Sequence, residues 1–294
     1  MRIATYRRKN LPGTPREVGL VAEDGASLRP LELAGGDAKR GALTLIEAHA
    51  RGAAAAEAYG EAIALTEVVL EAPLPVPRRN LFCVGRNYRS HAQELSASVF
   101  KDNAPDAEAW PIVFTKLPEC VIGPHDDVQL PGATVSTQID YEAELAVVIG
   151  IGGRNIARTE AMRHVFGYTI VNDVTARDVQ MRHQQWDLGK SFDTFCPMGP
   201  WIVTADALAG AHTRLRCWVN GALRQDATTA DLIFDIPTLI ETCSRGITLM
   251  PGDVIATGTP AGVGLGMTPP TFLRAGDVVR VEIGGLGVIE NRFV

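Results

Sequence analysis

The sequence has few cysteines, no long apolar run and no excess of positive charge, and each shortage argues against a class of protein. Its 5 cysteines are widely spaced without a C-x-x-C pair, which argues against a disulfide framework and a cysteine zinc site. No stretch of about 20 apolar residues or signal-peptide centre is present. The net charge of -6 favours neither nucleic acid nor an anionic membrane. We therefore expect a cytoplasmic protein with reduced thiols.

Length and residue order predict two unequal domains. A chain of 294 residues, 46% of them hydrophobic, can bury a large core. Residues 1–75 predict a small N-terminal α+β domain, and alternating prolines over Pro73–Pro77 predict an extended linker to a second domain, 76–294. The elements predicted in the first domain are strands over Arg2–Tyr6 and Glu17–Ala22 and an alanine-rich helix over Ala42–Thr66, broken by two glycines.

Short strands dominate the second domain, and helices are few. Apolar periodicity predicts helices over Val174–His183 and Leu232–Cys243. Strands without regular intervening helices argue for a β-rich α+β fold, a roll or barrel-like body, and against a doubly wound sheet. The predicted strands are Leu81–Val84, Ile112–Thr115, Asp127–Leu130, Ile139–Ile149, Val165–Asn172, Trp201–Val203, Leu215–Val219, Val254–Thr257, Val278–Ile283 and Gly287–Asn291.

Three carboxylates on two of these strands form the strongest candidate site. Glu142 and Glu144 point to one face of their strand, and Asp173 ends the next long apolar strand. Two like charges entering an apolar core repel each other unless a cation neutralises them. An all-oxygen set suits a hard ion such as Mg2+ or Mn2+. The alternative for the two glutamates is a solvated sheet face, and Asp173 favours the metal.

Other polar groups predict acid–base and anion-binding chemistry. His91 and Glu94 follow a strand at i, i+3 spacing, where the carboxylate can orient the imidazole as a general base. The alternative is an ordinary surface pair. Arg177 and Gln180 share a helix face that could bind a substrate carboxylate or simply be solvated. Lys190 lies among small and apolar neighbours and could stabilise an oxyanion.

A glycine-rich stretch follows the strand predicted over Val254–Thr257. Its sequence, Thr257-Gly-Thr-Pro-Ala-Gly-Val-Gly264, lacks the Lys-Ser/Thr ending of a P-loop and does not fit a dinucleotide fingerprint. Two interpretations stay open at this point. The stretch is either a nest for a small carboxylate or a structural turn.

Five motifs in order resemble the fumarylacetoacetate hydrolase family, and their spacing fits its short-chain members. The resemblance covers residues 78–294 and implies a mixed β-roll catalytic domain, usually in a homodimer. The motifs are Gly85-Arg-Asn-Tyr with His91 and Glu94, Asp140-Tyr-Glu-Ala-Glu, Asn172-Asp-Val-Thr-Ala-Arg-Asp-Val-Gln, Gly189-Lys-Ser-Phe-Asp and Thr257-Gly-Thr-Pro-Ala-Gly-Val-Gly.

The resemblance also implies a role for each site residue. It implies His91 and Glu94 as the dyad that activates water and Lys190 as an electrostatic stabiliser. No carboxylate occurs over Asn80–Gln93, so the additional aspartate ligand of the larger family members is absent. The implied ligands of Mg2+ or Mn2+ are Glu142, Glu144 and Asp173. The groups implied near the substrate are Arg86, Tyr88, Arg177, Gln180, Gly258 and Thr259.

The family contains several reactions, and the sequence ranks three hypotheses. The first is a Mg2+- or Mn2+-dependent hydrolase that cleaves a carbon–carbon bond of a 3-acylpyruvate or related β-diketo acid through a metal-bound enolate. The second is an oxaloacetate decarboxylase or tautomerase, or an isomerase or decarboxylase of a ring-cleavage 2-oxo diacid from aromatic catabolism. The third is a non-catalytic metabolite-binding protein, against which the complete set of site residues argues.

In the two enzymatic hypotheses the partner is a small-molecule 2-oxo acid. The polar segment 95–111 is longer than in the short family members. In this family the stretch after the histidine often acts as a lid. Of the properties that the resemblance implies, the choice of substrate is therefore the one that it predicts least well.

Overall fold

The computed structural model of the protein describes residues 1–11, 13, 15–33, 38–54, 56–96, 110–182 and 185–294. Strands prevail over helices in these ranges, which confirms the predicted β-rich mixed fold class. None of the helices in these ranges has the length and apolar character that crossing a bilayer requires. The helices are α1 (Leu43–Ala50), α2 (Arg89–Ser96), α3 (Arg177–Arg182), α4 (Asp187–Lys190) and α5 (Ile236–Ser244).

The described residues contain 18 strands. In chain order they are β1 (Arg2–Arg8), β2 (Glu17–Val21), β3 (Ser27–Pro30), β4 (Ile63–Ala64), β5 (Val68–Glu71), β6 (Leu81–Gly85), β7 (Ile112–Lys116), β8 (Val121–Ile122), β9 (Ile139–Asp140), β10 (Ala143–Ile149), β11 (Val165–Asn172), β12 (Thr175–Ala176), β13 (Cys196–Thr204), β14 (Arg214–Val219), β15 (Ala222–Thr228), β16 (Val254–Ala256), β17 (Val278–Ile283) and β18 (Gly287–Arg292).

Twelve strands form one large sheet that supports the site. Its order is β4-β3-β2-β1-β13-β11-β10-β16-β6-β7, with β5 paired to β1 and β8 paired to β13. The antiparallel strands β10 and β11 are buried along their whole length, and their sequences are correspondingly almost uninterrupted runs of apolar residues. Polar residues at the ends of these strands are therefore held on a rigid, fully buried support.

A second sheet, of order β15-β14-β17-β18, covers part of the same core. Along β17 buried residues alternate with partly exposed ones, as expected for an antiparallel strand with one face on the core. Its inward residues Val281 and Ile283 belong to the same apolar cluster as Leu145 of β10. The second sheet thus lies against the strand that leads from the candidate metal ligands.

The first 75 residues share a sheet and a core with the rest of the chain. Strand β1 pairs with β13, with Ile3 opposite Ile202, and both residues belong to the main apolar cluster. The stretch predicted as a linker is partly buried, since Pro73 and Leu74 are buried. The predicted domain limits, 1–75 and 76–294, stay a prediction.

Two helix predictions are wrong in extent because strand pairing overrides helix propensity. In the stretch Ala42–Thr66, helix α1 ends at Ala50, and Ile63–Ala64 pairs with β3 instead. In the stretch Val174–His183, Thr175–Ala176 pairs with β9, so the helix begins at Arg177. His183 lies outside the described residues.

Smaller corrections concern local hydrogen bonds. The helix predicted from Leu232 begins at Ile236, because Asp235 caps it by accepting a hydrogen bond of 3.0 Å from Thr238 N. The predicted strand Asp127–Leu130 is reduced to a single bridge at Val128. These differences leave the sheet core unchanged.

Candidate metal and active site

The three predicted metal ligands converge beside β10 and β11. One oxygen of each of Glu142, Glu144 and Asp173 lies within 4.8 Å of the other two, and all three residues are buried. The strand predicted over Ile139–Ile149 is interrupted just before β10, and Glu142 lies in this interruption. Two hydrogen bonds fix it there, from Glu142 N to Asn172 Oδ1 at 3.0 Å and from Asp173 N to Glu142 O at 2.8 Å.

Buried cations contact two of these carboxylates. Lys190 Nζ lies 2.6 Å from Glu142 Oε2 and 2.8 Å from Asp173 Oδ2. Arg177 Nη1 lies 2.7 Å from Glu142 Oε1. Lys116 Nζ lies 2.8 Å from Asp173 Oδ1. Burial alone would lower the pKa of Lys116, but the charge of the Asp173 carboxylate outweighs this effect and raises that pKa. Each of these oxygens therefore has a positive neighbour.

The electrostatic environments of the two glutamates differ. Burial alone would raise the pKa of Glu142, but the charges of Lys190 and Arg177 outweigh it and lower that pKa to about 2. Burial, together with the negative charges of Asp173 and Glu142, raises the pKa of Glu144 well above its ordinary value. The local negative charge is thus incompletely neutralised at Glu144.

This donor set fits a divalent cation. Three buried carboxylates offer oxygen ligands only, which Mg2+ and Mn2+ prefer. Asp173 Oδ1 contacts Lys116 Nζ in an ion pair but is assigned no hydrogen bond from the part of the chain that the structure describes. A cation held by Glu142, Glu144 and Asp173 would also neutralise the negative charge that the neighbouring lysine and arginine side chains do not compensate.

His91 and Glu94 form the predicted pair on α2. His91 Nδ1 lies 3.2 Å from Glu94 Oε2, and Gly262 N donates a hydrogen bond of 3.0 Å to Glu94 Oε1. A carboxylate acceptor at Nδ1 favours the tautomer that carries its proton there, which leaves Nε2 as a base. His91 is buried and lines the same cavity as Lys190.

One small cavity collects most of the predicted residues. The volume of this cavity, measured as the space open to the centre of a water-sized sphere, is about 20 Å³. Such a volume suffices for one water molecule or ion. A larger ligand therefore requires lining side chains to move. The lid predicted over 95–111 lies almost entirely outside the described residues. The predicted site residues that line the cavity are Arg86, His91, Glu142, Glu144, Arg177, Gln180, Lys190 and Thr259.

Besides Asp173 Oδ1, buried polar atoms of Arg177 and Tyr88 have no hydrogen-bond partner among the described residues. Arg177 directs Nε to Asp140 Oδ2 at 2.9 Å and Nη1 to Gln180 Oε1 at 3.2 Å, but Nη2 is unpaired. The other is Tyr88 Oη, whose pKa is raised by burial and by the charge of Glu144, so that the hydroxyl stays a donor. Buried groups of this kind are rare and mark positions where a ligand can bind.

The glycine-rich loop binds carboxylates of the protein itself. Of the two open interpretations, a carboxylate nest is closer to the structure, but the carboxylates are side chains of this chain. The amide of Gly258 is already used in this way, and the predicted substrate contact at Gly258 stays a prediction. Three amides donate in this way, Gly258 N to Glu144 Oε2 (2.8 Å), Gly262 N to Glu94 Oε1 (3.0 Å) and Gly264 N to Asp140 Oδ1 (2.7 Å).

Three buried polar residues that support the site were missed by sequence reasoning. Asp140 binds Arg177, Lys116 binds Asp173, and Gln225 donates a hydrogen bond of 2.8 Å to Thr259 Oγ1. Asp140 carries a signal, because it opens the carboxylate motif and its residue type is costly to bury. Lys116 carries a weaker signal at the end of an apolar strand. Gln225 lies on a polar strand and carries none.

Comparison with known proteins places these features in a family. The family model described as fumarylacetoacetate (FAA) hydrolase C-terminal matches residues 80–294. Oxaloacetate tautomerase YisK of Bacillus subtilis (strain 168) is 50% identical over 230 residues, which cover 78% of this chain and 74% of YisK. Residues 80–294, which the family model matches, contain every predicted site residue.

Solved structures agree with this match over the full chain. A fumarylacetoacetate hydrolase from psychrophilic Exiguobacterium antarcticum superposes with a TM-score of 0.82 at 39% identity and covers 100% of this chain and 99% of its own. A 2-hydroxyhepta-2,4-diene-1,7-dioate isomerase from Mycobacterium marinum gives a TM-score of 0.78 at 32% identity, with coverage of 100% and 98%. Hydrolase, tautomerase and isomerase names thus all occur among similar proteins.

Proposed function

The chain belongs to the fumarylacetoacetate hydrolase family, and from this premise we propose that it catalyses keto–enol tautomerisation of a 2-oxo diacid such as oxaloacetate. The relatives support this hypothesis, which the sequence ranked second, better than hydrolysis of a 3-acylpyruvate, which it ranked first. One observation carries the proposal. His91, whose Nδ1 contacts the Glu94 carboxylate in an arrangement suited to proton transfer, lines the cavity that Glu142, Glu144 and the buried Lys190 also line.

His91 is the base in the proposed reaction. Glu94 holds the ring at Nδ1, and Nε2 takes a proton from the carbon next to the 2-oxo group. The electron pair of that bond forms the carbon–carbon double bond, the 2-oxo oxygen takes a proton from solvent, and His91 returns its own proton to solvent. The buried ammonium of Lys190 stabilises negative charge that develops on this oxygen.

Other side chains bind and orient the substrate. Arg177 Nη2 is directed to a substrate carboxylate, since its other nitrogens are already hydrogen-bonded. Glu142, Glu144 and Asp173 would hold Mg2+ or Mn2+, and such an ion supplies a Lewis acid that polarises the 2-oxo group. The aromatic side chains of Phe114 and Trp186 also line the cavity and exclude water from it.

The test is the decay of enol oxaloacetate, followed by its ultraviolet absorbance with chelator-stripped protein. We expect Mg2+-dependent acceleration without release of pyruvate. His91→Ala should lower the rate by about 100-fold or more, which is the usual contribution of a general base. His212→Ala, a change at an exposed histidine, is the matched control and should have no effect.

Two outcomes would contradict this proposal. Release of acetate and pyruvate from acetylpyruvate, without tautomerase activity, would restore hydrolysis. Pyruvate and CO2 from oxaloacetate would show a decarboxylase.

A second candidate is isomerisation of a ring-cleavage 2-oxo diacid. It is favoured by the similarity to the Mycobacterium marinum isomerase along the whole chain. The same base would move a proton between two carbon atoms of a longer substrate. Activity on 2-hydroxyhepta-2,4-diene-1,7-dioate with none on oxaloacetate would establish it.

The homodimer and the cytoplasmic location are also proposals. The first rests on the family resemblance, and light scattering in solution measures it. The second is supported by the 5 cysteines, all of them free and buried, and fractionation of cells measures it.

A further inference from the structure

Gln225 connects the second sheet to the candidate active site. It is fully buried on β15, where most other side chains are partly or fully exposed. Its Oε1 accepts a hydrogen bond of 3.1 Å from Ala143 N, the backbone amide between the two glutamate ligands. Its Nε2 donates to Thr259 Oγ1 and to Pro260 O, both at 2.8 Å. Both ends of the amide are therefore engaged.

The two backbone partners determine the orientation of this amide. Ala143 N–H can only donate, so the group that faces it is the Gln225 oxygen. The Pro260 carbonyl can only accept, so the group that faces it is the Gln225 NH2. Thr259 Oγ1 contacts the same NH2 group. It must therefore act as the acceptor in this contact.

This assignment determines what the Thr259 hydroxyl can do. Its oxygen accepts from Gln225, and its hydrogen has no acceptor in the hydrogen bonds of the described residues. Thr259 lines the same cavity as Arg177 and Lys190. The hydroxyl hydrogen is thus free to be donated into the cavity.

We propose that Gln225 is a positioning residue that holds Thr259 as a hydrogen-bond donor to the carboxylate of a 2-oxo acid. The inference rests on the proposed function, because it requires such a carboxylate in the cavity. Gln225 also accepts a hydrogen bond from Ala143 N. Its side-chain amide therefore fixes the Thr259 hydroxyl relative to β10, the strand that carries Glu144.

The informative variant is Gln225→Glu, which preserves shape but replaces the NH2 group by an oxygen. This oxygen accepts the Thr259 hydrogen and turns it away from the substrate. The Kd of oxalate with Mg2+, measured by calorimetry, should rise about tenfold, the effect of one hydrogen bond. KM for enol oxaloacetate should rise equally, with kcat nearly unchanged, because the lost contact serves binding.

A double-mutant cycle separates positioning from a structural role. Thr259→Val removes the hydroxyl at nearly constant shape and should raise the Kd of oxalate about tenfold by itself. The variant Q225E/T259V should lose no more, because no hydroxyl remains to be positioned. A loss of about 100-fold, the product of two independent effects, would overturn the proposal.

Two further variants guard against misfolding and charge effects. Gln225→Asn is uncharged but one methylene shorter, so it should weaken oxalate binding similarly even if Q225E does not fold. Gln129→Glu adds the same charge at an exposed glutamine and should leave the Kd unchanged. Unchanged oxalate binding by a folded Q225N would contradict the proposal.

The oxalate measurement also distinguishes the two levels of inference. Oxalate binding that follows the cycle, without turnover of oxaloacetate, would overturn the proposed reaction but leave the role of Gln225. A failure of the unaltered protein to bind oxalate with Mg2+ would overturn both the substrate class and that role.

Discussion

At Asp140 several hydrogen-bond donors meet one buried carboxylate. Its two oxygens accept from Gly264 N at 2.7 Å, Leu265 N at 2.9 Å and Arg177 Nε at 2.9 Å. These contacts compensate the large cost of removing a carboxylate from water. They also attach the glycine-rich loop to Arg177, which in turn contacts Glu142. A residue outside the reaction thus supports several groups within it.

Asp140→Asn should weaken the fold and the site together. The new amide would direct N–H groups at backbone N–H groups or at the Arg177 guanidinium, leaving buried charge unpaired. We expect the free energy of unfolding, measured with urea, to fall by about 3 kcal/mol. Glu160→Gln breaks an exposed ion pair of 2.6 Å with Arg163 and should change it little. Equal stability of the two variants would refute this account.

The chemically active residues could be predicted from the sequence, but their supporting residues could not. Glu144 and Asp173 lie at the ends of apolar strands that pair with each other. The apolar pattern of these two strands was therefore sufficient to predict that the two carboxylates lie close together. Lys116 and Gln225 join the site only by pairing with residues distant in the sequence, Lys116 with Asp173 and Gln225 with the Ala143 amide. A single sequence does not specify such pairing, and therefore these contacts required the structure.

At the scale of elements, α3 and α4 pack too closely for a side chain between them. A Cβ on Gly189 would lie 2.6 Å from Gln180 N and 2.8 Å from Ala176 O, and both are backbone atoms. Helix α4 ends at Lys190. The spacing of the two helices therefore sets the position of its ammonium group above the carboxylates.

Gly189→Ala should separate these helices. We expect the free energy of unfolding to fall by about 1–3 kcal/mol, as for other overpacked sites, and kcat to fall because Lys190 moves. Urea unfolding and steady-state kinetics measure the two effects. Gly132→Ala is the matched control, because the nearest atom to its Cβ would be 3.9 Å away. Wild-type kinetics in the first variant would contradict the packing argument.

Elements were predictable where burial leaves an apolar pattern. Strands β10 and β11 are buried throughout, and the prediction gave both limits of β11 and the last residue of β10. Strand β15 was missed, because most of its residues are exposed and only Gln225 is fully buried. The helix predicted in the alanine-rich stretch Ala42–Thr66 was too long for the opposite reason. Helix propensity was present there, but pairing of Ile63–Ala64 with β3 decided the structure.

At the scale of the whole molecule, the N-terminal residues complete the large sheet. Strand β1 covers one edge of β13, opposite β11. Leu43 of α1 packs against Gly252, where a Cβ would lie 2.0 Å from Leu43 Cδ1. The Thr5 hydroxyl donates a hydrogen bond of 2.9 Å to Pro73 O inside this region. The two predicted domains are thus joined by strand pairing and by apolar packing.

Removal of residues 1–75 should therefore unfold the remainder or make it insoluble. The deletion would expose the edge of β13 and the apolar surface around Ile202, and uncovered edge strands promote aggregation. The fraction of soluble protein and the cooperativity of its thermal unfolding measure this. A soluble 76–294 fragment with the unfolding midpoint of the intact chain would instead support independent domains.

A cleaved but undeleted chain separates the loss of residues from the loss of connectivity. A protease site inserted after Val76, which is 50% exposed, cuts the chain at the predicted boundary without removing β1. If sheet pairing joins the two parts, the cut protein should elute as one species in size-exclusion chromatography and separate only in denaturant. Separation under native conditions would show that the covalent connection, rather than β1–β13 pairing and the common core, holds them together.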